Sequence, residues 1–139
     1  MTDARGTPLV AKVTAANVND STQLIPMVDA IPAVRGKVGA PRRRPDAVQG
    51  DRGYRSALNR GLLWVRGIEP IIPPDRVDGK EVHGSGLGTT RWVVERTISW
   101  LRRYRRLRVR YERRADIHQA FLTLGCALIC HRRLRDSFS

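Results

Sequence analysis

The chain has 139 residues and a formal net charge of +13 at pH 7, with 26 lysine and arginine residues against 13 aspartate and glutamate residues. This length allows one domain with a real hydrophobic core, and the charge favours a polyanionic partner such as nucleic acid. No apolar run is long enough to span a membrane and the first residues lack a signal-peptide pattern, which excludes a membrane protein and predicts a cytoplasmic one.

Apolar patterning, capping residues and turn residues predict an α/β fold. Strands are expected over residues 8–14, 47–49 and 68–72, and helices over residues 24–31, 56–66, 90–107 and 115–134. Asn19 and Ser56 are suited to accept hydrogen bonds at the starts of the first two helices, and Gly67 is suited to end the second. Segments rich in glycine and proline at 35–45 and 75–90 are expected to be loops.

The first of these loops holds three consecutive arginines, Arg42, Arg43 and Arg44. Because arginine makes bidentate contacts with phosphate, the loop is a candidate contact for the DNA backbone. The alternative is a flexible, solvated loop that needs no ligand.

The helix expected over residues 90–107 carries one carboxylate among arginines. At 3.6 residues per turn, four charged side chains fall within about 60° of one another around its axis, namely Arg91, Glu95, Arg102 and Arg106. Three apolar side chains are expected to be buried on another face, namely Val94, Ile98 and Leu101. A carboxylate in this position can hold a divalent cation, and the arginines can hold the phosphodiester that the cation activates. The alternative is a solvated face with ordinary ion-pair spacing.

A second acidic residue follows the strand expected over residues 47–49. Asp51 stands just beyond that strand and Gly53 marks a turn, so the carboxylate is expected to project from the strand tip. Strand tips are where open α/β sheets place their sites. The alternative is that Asp51 is only a turn or capping residue.

Three further side chains are expected to belong to the core. Cys126 and Cys130 lie in an apolar run and are expected to be core thiols in a reducing compartment rather than metal ligands. Trp92, three residues before Glu95, is able to stack on an unpaired base, but a tryptophan on an amphipathic helix is more commonly buried.

Asp51 after a strand and Glu95 within an arginine-rich helix resemble the second and third acidic residues of the DDE transposases. The chain is similar to the insertion sequence five family in five segments: LVAKVTAANVNDS (9–21), GDRGY (50–54), TRWVVER (90–96), RLRVRYERRADIHQ (106–119) and ALIC (127–130). Transposases of this kind carry a Tyr, Arg, Glu, Lys signature. Arg91 and Glu95 match its Arg and Glu, Arg102 stands at the Lys position, and Gly88 stands where Tyr is expected.

The resemblance implies an RNase H-like domain that performs DNA transposition of an insertion sequence in the bacterial cytoplasm. In that family three carboxylates bind two Mg²⁺ ions, for which Mn²⁺ can substitute. Asp51 and Glu95 are then catalytic residues and metal ligands. Arg91, Arg102 and Arg106 are then DNA contacts on the helix.

The first catalytic Asp of the family lies upstream of the region that residues 14–20 match, after an N-terminal helical DNA-binding domain. Asp3 is the only acidic residue ahead of that region, and its Asp-Ala-Arg-Gly sequence favours a hairpin turn. Residues 1–139 are therefore expected to be the C-terminal part of the catalytic domain, truncated at the N-terminus and lacking the first strands and the DNA-binding domain. Alone, such a chain is expected to bind metal weakly or not at all and to be inactive.

The partners expected on this interpretation are DNA, the N-terminal half of the transposase and, as a further candidate, a second copy of the chain. Two other interpretations remain open. The chain is either a non-catalytic, basic DNA-binding fragment, for which the arginine-rich helix and loop suffice, or an inert transposase remnant whose incomplete sheet leaves unpaired edges.

Overall fold

The computed structural model describes residues 1–35, 38–73, 76–77, 80–81 and 88–137, and the side chains of these residues outside 76–91. The helices are α1 (Leu24–Asp29), α2 (Ala57–Val65), α3 (Gly88–Arg102), α4 (Arg105–Arg108) and α5 (Ala115–Asp136). The strands are β1 (Ala47–Gln49), β2 (Glu69–Ile71), β3 (Arg76–Val77) and β4 (Lys80–Glu81). Short 3₁₀ turns lie at Asp20–Gln23 and Arg52–Tyr54. The fold is mixed α/β, as the sequence predicts.

Two compact units divide the chain. The central unit is Ala16–Gly88, and the terminal unit combines Met1–Ala15 with Thr89–Ser139. Within the described ranges, no helix combines the length and apolar character needed to cross a membrane.

The central unit is built on a β-α-β arrangement. Strands β1 and β2 pair in parallel, with Ala47 opposite Glu69 and Gln49 opposite Ile71, and helix α2 connects them. Strands β3 and β4 pair antiparallel within the segment that the sequence predicts to be a loop. Most of the rest of that segment, residues 75, 78–79 and 82–87, lies outside the described residues, as does residue 74.

Helix α2 confirms the expected capping signals. The Ser56 hydroxyl accepts a hydrogen bond from the Asn59 amide at 3.0 Å, and Gly67 beyond the helix has a φ of 65° that favours glycine. Leu63 on α2 and Ile68 before β2 are 0% and 1% exposed and form the centre of this unit's core. The Asn19 side chain likewise accepts from the Ser21 amide at 2.9 Å, although a 3₁₀ turn intervenes before α1 begins.

The strand expected over residues 8–14 does not form in the described chain. An isolated bridge joins Pro8 to Thr2, and the backbone groups of Leu9 and Val10 bond to Met1 without forming a strand. The segment pairs instead with a side chain of α5: the Gln119 side-chain oxygen accepts from the Val13 amide at 2.7 Å, and its nitrogen donates to the Ala11 carbonyl at 3.0 Å. The prediction is wrong because a strand needs a neighbouring strand, and the described residues of this unit offer none to residues 11–14.

The single helix expected over residues 90–107 is also wrong, because α3 ends at Arg102 and α4 begins at Arg105. Between them Tyr104 adopts an extended conformation. The turn packs Leu101, Tyr104 and Leu107 around Gly125 of α5, where an added Cβ would lie 2.9 Å from the Leu107 side chain. In one continuous helix these three side chains would spread over about 120° around the axis, so the turn is what brings them to one glycine.

Helix α3 buries a different face from the one expected. Val93 and Thr97 are 9% and 3% exposed, whereas Val94 and Ile98, which were expected to be buried, are 46% and 45% exposed. A polar contact explains the difference: the Thr97 hydroxyl donates to the Gly6 carbonyl at 2.6 Å, which turns this face of the helix inward.

Candidate functional site

Asp51 lies at the carboxyl end of the parallel strand pair. Beyond β1, the Gly50 amide still donates to the Ile71 carbonyl at 3.2 Å, and the exposed Asp51 follows directly. Its Oδ1 accepts from the Gly53 amide at 2.9 Å and caps the 3₁₀ turn Arg52–Tyr54. The turn role of Asp51 is therefore confirmed. Its role as a metal ligand stays a prediction, for which the carboxylate keeps lone pairs after it accepts one hydrogen bond.

A buried asparagine fixes the turn that follows Asp51. Asn59 is 6% exposed. Its side-chain nitrogen donates to the Ser21 carbonyl and hydroxyl oxygens, each at 3.0 Å. The same nitrogen lies 3.4 Å from the Tyr54 carbonyl oxygen. Asn59 thus ties the turn to the segment before α1 and limits how far Asp51 can move.

The negative charge around Asp51 affects the pKa of the neighbouring Tyr54 hydroxyl. Burial raises the pKa of the Tyr54 hydroxyl, and the negative charges of Asp20 and Asp51 raise it further. Asp20, which the sequence suggests only as part of a helix start, therefore adds negative charge on the same side of the central unit as Asp51.

Arg60 holds the chain beyond β2, a role that its sequence context did not predict. Its guanidinium group donates to the carbonyl oxygens of Ile72 and Pro73 at 2.7 and 2.9 Å. The carboxyl end of β2 is thereby fastened to α2, which gives the strand tips a fixed frame. The available signal was a single arginine in a helix whose other residues, in Ala57–Val65, carry no charge.

Glu95 is exposed on α3, in the terminal unit. Helical geometry puts it on the side opposite to the buried Val93 and Thr97. Arg102 follows seven residues later, is exposed, and lies within about 20° of Glu95 around the axis. The side chain of Arg91 lies outside the described residues.

Helix α3 is anchored by the N-terminal turn. Asp3 Oδ1 accepts from the amides of Arg5 and Thr7 at 2.8 and 2.7 Å, so Asp3 has the turn role that its sequence context favours. The turn brings two carbonyl groups to α3: Gly6 accepts from Thr97, and Arg5 accepts from the Arg96 guanidinium at 2.6 Å. Both anchoring side chains lie within two residues of Glu95, so the turn fixes the backbone that carries this carboxylate.

Arg96 lies between two tryptophans one helical turn away on either side. Its guanidinium carbon is 4.4 Å from the ring centre of Trp92 and 4.9 Å from that of Trp100. Trp92 is 50% exposed, so the prediction that it belongs to the core is wrong; the stack with Arg96 holds the ring at the surface. The i, i+4 spacing of the three residues was the signal that the sequence offered for this arrangement.

Arg106 does not share a helical stripe with Glu95, because it belongs to α4. Its Nη1 lies 2.7 Å from Glu112 Oε1, and the guanidinium group sits over the rings of Tyr111 and Phe121. Burial opposes ionisation of Glu112, but hydrogen bonds from its backbone amide and from Arg106 outweigh it and lower the pKa of the carboxyl. Arg106 therefore has a structural task in addition to the DNA contact predicted for it.

The arginine-rich loop is exposed to solvent at Arg42, Arg43 and Arg44, and two of these arginines also bond to the central unit. Arg42 pairs with Val34 through the backbone, with N–O distances of 2.8 Å, and its guanidinium group forms an ion pair with Asp46. Arg44 donates to the Arg66 carbonyl at 2.7 Å, where a cation is favourable at the end of α2. Arg43 is exposed. Residues 36–37 of this loop lie outside the described residues.

Both cysteines are free and half-buried on α5. Burial raises the pKa of each thiol. Among the residues that the structure describes, no group of three or more His, Cys, Asp or Glu side chains is arranged to hold a metal ion.

Residues 1–130 match the family model of the transposase DDE domain. The chain belongs to this family. It is also 60% identical over 135 residues to the putative transposase for insertion sequence element IS402 of Burkholderia cepacia, an alignment that covers 97% of this chain. The chain spans 62% of the length of that relative. No solved structure matches it. The resemblance to the DDE transposases is confirmed, and the strand-tip Asp51 and helical Glu95 lie within the part that matches the DDE domain.

Proposed function

We propose that this DDE domain is part of the catalytic domain of a transposase of the insertion sequence five type, with an RNase H-like fold. Its reaction is cleavage of DNA at the ends of an insertion sequence and joining of those ends to a target. The observation that carries the proposal is Asp51 at the carboxyl end of a parallel strand pair, in a chain whose residues 1–130 match the DDE domain. The name of the Burkholderia relative supports it.

The proposed metal ligands are Asp51 and Glu95. Both are exposed carboxylates, and carboxylate oxygens are the ligands that Mg²⁺ and Mn²⁺ prefer, so the donor chemistry fits. Bound divalent ions would stabilise the attacking and leaving oxygens of the phosphodiester. Around them the chain's own residues fix the ligands: Asn59 restrains the turn after Asp51, and Thr97 anchors the helix of Glu95.

DNA is the proposed substrate, and arginines are its proposed contacts. Residues 91–114 hold ten arginines and two glutamates, which attracts phosphate. Arg91 and Arg102 are proposed to hold the phosphodiester near Glu95. Arg42, Arg43, Arg44 and Arg106 are proposed as contacts farther along the backbone. Among these Arg43 is the foremost, since the guanidinium groups of the other three bond within the protein.

The catalytic centre is proposed to be completed by another part of the transposase. The chain spans 62% of its relative, and a two-ion site of this class uses three carboxylates, of which two are proposed here. The N-terminal half would supply the first Asp and the DNA-binding domain. Without it the chain is expected to bind metal weakly or not at all. A second copy of the chain is a further proposed partner.

A strand-transfer assay with Mg²⁺ tests this function. The segment of the Burkholderia relative that has no counterpart here is fused to residues 1–139 as one continuous chain. We expect activity from the fusion and none from residues 1–139 alone. Asp51→Asn and Glu95→Gln should each abolish it, whereas Asp46→Asn, an exposed aspartate ahead of β1, should leave most of it. Equal activity of all three variants would show that Asp51 and Glu95 are not catalytic residues.

A non-catalytic role in DNA binding is the second candidate, because the charge of residues 91–114 alone is sufficient for it. It predicts that the fusion binds DNA and never cuts it, in Mg²⁺ or in Mn²⁺.

A further inference from the structure

Helix α5 displays an apolar stripe that the described part of the chain leaves exposed. Ile117, Leu124 and Leu128 are 40%, 56% and 39% exposed. Their spacing of seven and four residues puts all three within about 40° of one another around the axis. Aligned apolar side chains on one face, as distinct from scattered ones, mark a surface that another element covers.

A cavity of about 200 Å³ adjoins this stripe, between α4 and α5. Leu124 and Leu128 line it together with three other apolar residues, Leu107, Phe121 and Gly125. The cavity is therefore wide enough to take one or two apolar side chains from a neighbouring element.

Polar groups at the cavity indicate the chemistry of what enters it. Arg105 and Arg106 form its basic side. The occupant is therefore expected to bring acidic as well as apolar groups.

We propose that this surface, the α5 stripe with its adjoining cavity, is the docking site for the segment of the transposase that has no counterpart in this chain. The proposal rests on the proposed function, because it takes the chain to be completed by that segment. The relative is longer than the region aligned here, which covers 62% of it, so such a segment exists in at least one homologous transposase.

Charge argues against a second copy of this chain as the occupant. Each copy carries a net charge of +13, and the cavity side holds Arg105 and Arg106, so two such surfaces would repel each other. The fitting partner is an amphipathic element with apolar side chains over the stripe and a carboxylate opposite Arg105, since Arg106 already pairs with Glu112.

The test uses two purified polypeptides, residues 1–139 and the unaligned segment of the Burkholderia relative, titrated by calorimetry without DNA or metal. We expect binding, and we expect Leu124→Asp and Leu128→Asp each to weaken it about tenfold or more, which corresponds to about 1.4 kcal/mol. Leu134→Asp is the matched control, because Leu134 is 57% exposed on the same helix but lies about 80° or more from the stripe leucines. It should change the affinity less than about twofold.

Circular dichroism shows whether each variant keeps its helices, and Leu124→Ser replaces any aspartate variant that unfolds. Absence of binding by the unmodified chain, or equal weakening by Leu134→Asp, would overturn the proposal. Self-association of residues 1–139 that Leu124→Asp abolishes would also overturn it and assign the stripe to a second copy. Strand transfer by the single-chain fusion is measured separately, so a failed docking site and a failed catalytic assignment give different results.

Discussion

The hydroxyl of Thr97 and the carbonyl of Gly6 form a 2.6 Å hydrogen bond between residues 91 positions apart. Thr97 is 3% exposed, and the same hydroxyl lies 3.1 Å from the Val93 carbonyl. Gly6 has a φ of 79°, and an added Cβ would lie 3.0 Å from the Thr97 oxygen. The N-terminal turn and the helix of Glu95 therefore fit each other only with glycine at one position and a small hydroxyl at the other.

Thr97→Val should destabilise the terminal unit by about 1–3 kcal/mol, because it leaves the buried Gly6 carbonyl without a donor. Gly6→Ala should cost a similar amount through left-handed backbone strain of about 1–2 kcal/mol and the close contact. Urea unfolding followed by tryptophan fluorescence measures both. Thr97→Ser should retain most of the stability, and a serine variant as unstable as the valine variant would show that the methyl group matters more than the hydrogen bond.

Two glycine substitutions should have opposite effects. An alanine Cβ at Gly61, in the interior of α2, meets nothing within 4 Å, so Gly61→Ala should stabilise by about 0.5–1 kcal/mol. The same change at Gly125 puts the Cβ 2.9 Å from Leu107 and 3.2 Å from Leu101. Overpacking of about 1–3 kcal/mol should there exceed the gain in helix propensity. Thermal unfolding of the two variants checks the signs, and stabilisation by Gly125→Ala would mean that the turn after α3 does not depend on this contact.

The thiols should react slowly at neutral pH. Burial raises the pKa of Cys126 and Cys130, and the reactive species is the thiolate. The pH profile of alkylation, followed by mass spectrometry, should have its midpoint at a higher pH in the folded chain than in the same chain unfolded in urea. Coinciding profiles would contradict the burial of these thiols.

The ion pair of Asp29 with Arg66 should give an acid-sensitive contribution to stability. The hydrogen bond from Arg66 lowers the pKa of Asp29, so this contribution is present above the carboxyl's ordinary pKa and is lost as the pH falls through the folded-state value. Asp29→Asn should therefore destabilise at pH 7 and make less difference at a pH below 3.8, the ordinary value. Urea titrations at the two pH values give the comparison.

Binding of the isolated chain to duplex DNA should be weak, independent of sequence and steeply dependent on salt. Arg102 is exposed on the side of α3 that carries Glu95, and Arg103 is exposed just beyond the end of this helix. Arg102→Gln and Arg103→Gln should each reduce by about one the slope of log affinity against log salt concentration. Arg132→Gln, an exposed arginine of α5, is the control outside the basic segment. Fluorescence anisotropy over a salt series measures the slopes. Sequence-specific binding would contradict the expectation.

Local signals in the sequence were sufficient for much of the central unit. Ser56 and Gly67 make their contacts with residues close to them in the sequence, so capping and turn chemistry predicted where α2 begins and ends. The position of Asp51 at a strand tip was predicted from the strand before it and the glycine after it. The terminal unit depends on distant contacts instead. The end of α3 is set by Gly125, and its buried face is set by Gly6; neither partner could be located from the sequence of the helix. The role of Arg44 likewise depends on a carbonyl 22 residues away.

The side chain of Gln119 bonds to residues 11–13 through their peptide groups only. It accepts from the amide of Val13 and donates to the carbonyl oxygen of Ala11. A primary amide that donates and accepts side by side does here what an adjacent peptide would do in a sheet. These two hydrogen bonds therefore place no requirement on the side chains at positions 11 and 13. They do require glutamine at position 119. Glutamate there would keep the acceptor and lose the donor, and asparagine would be one methylene too short to reach.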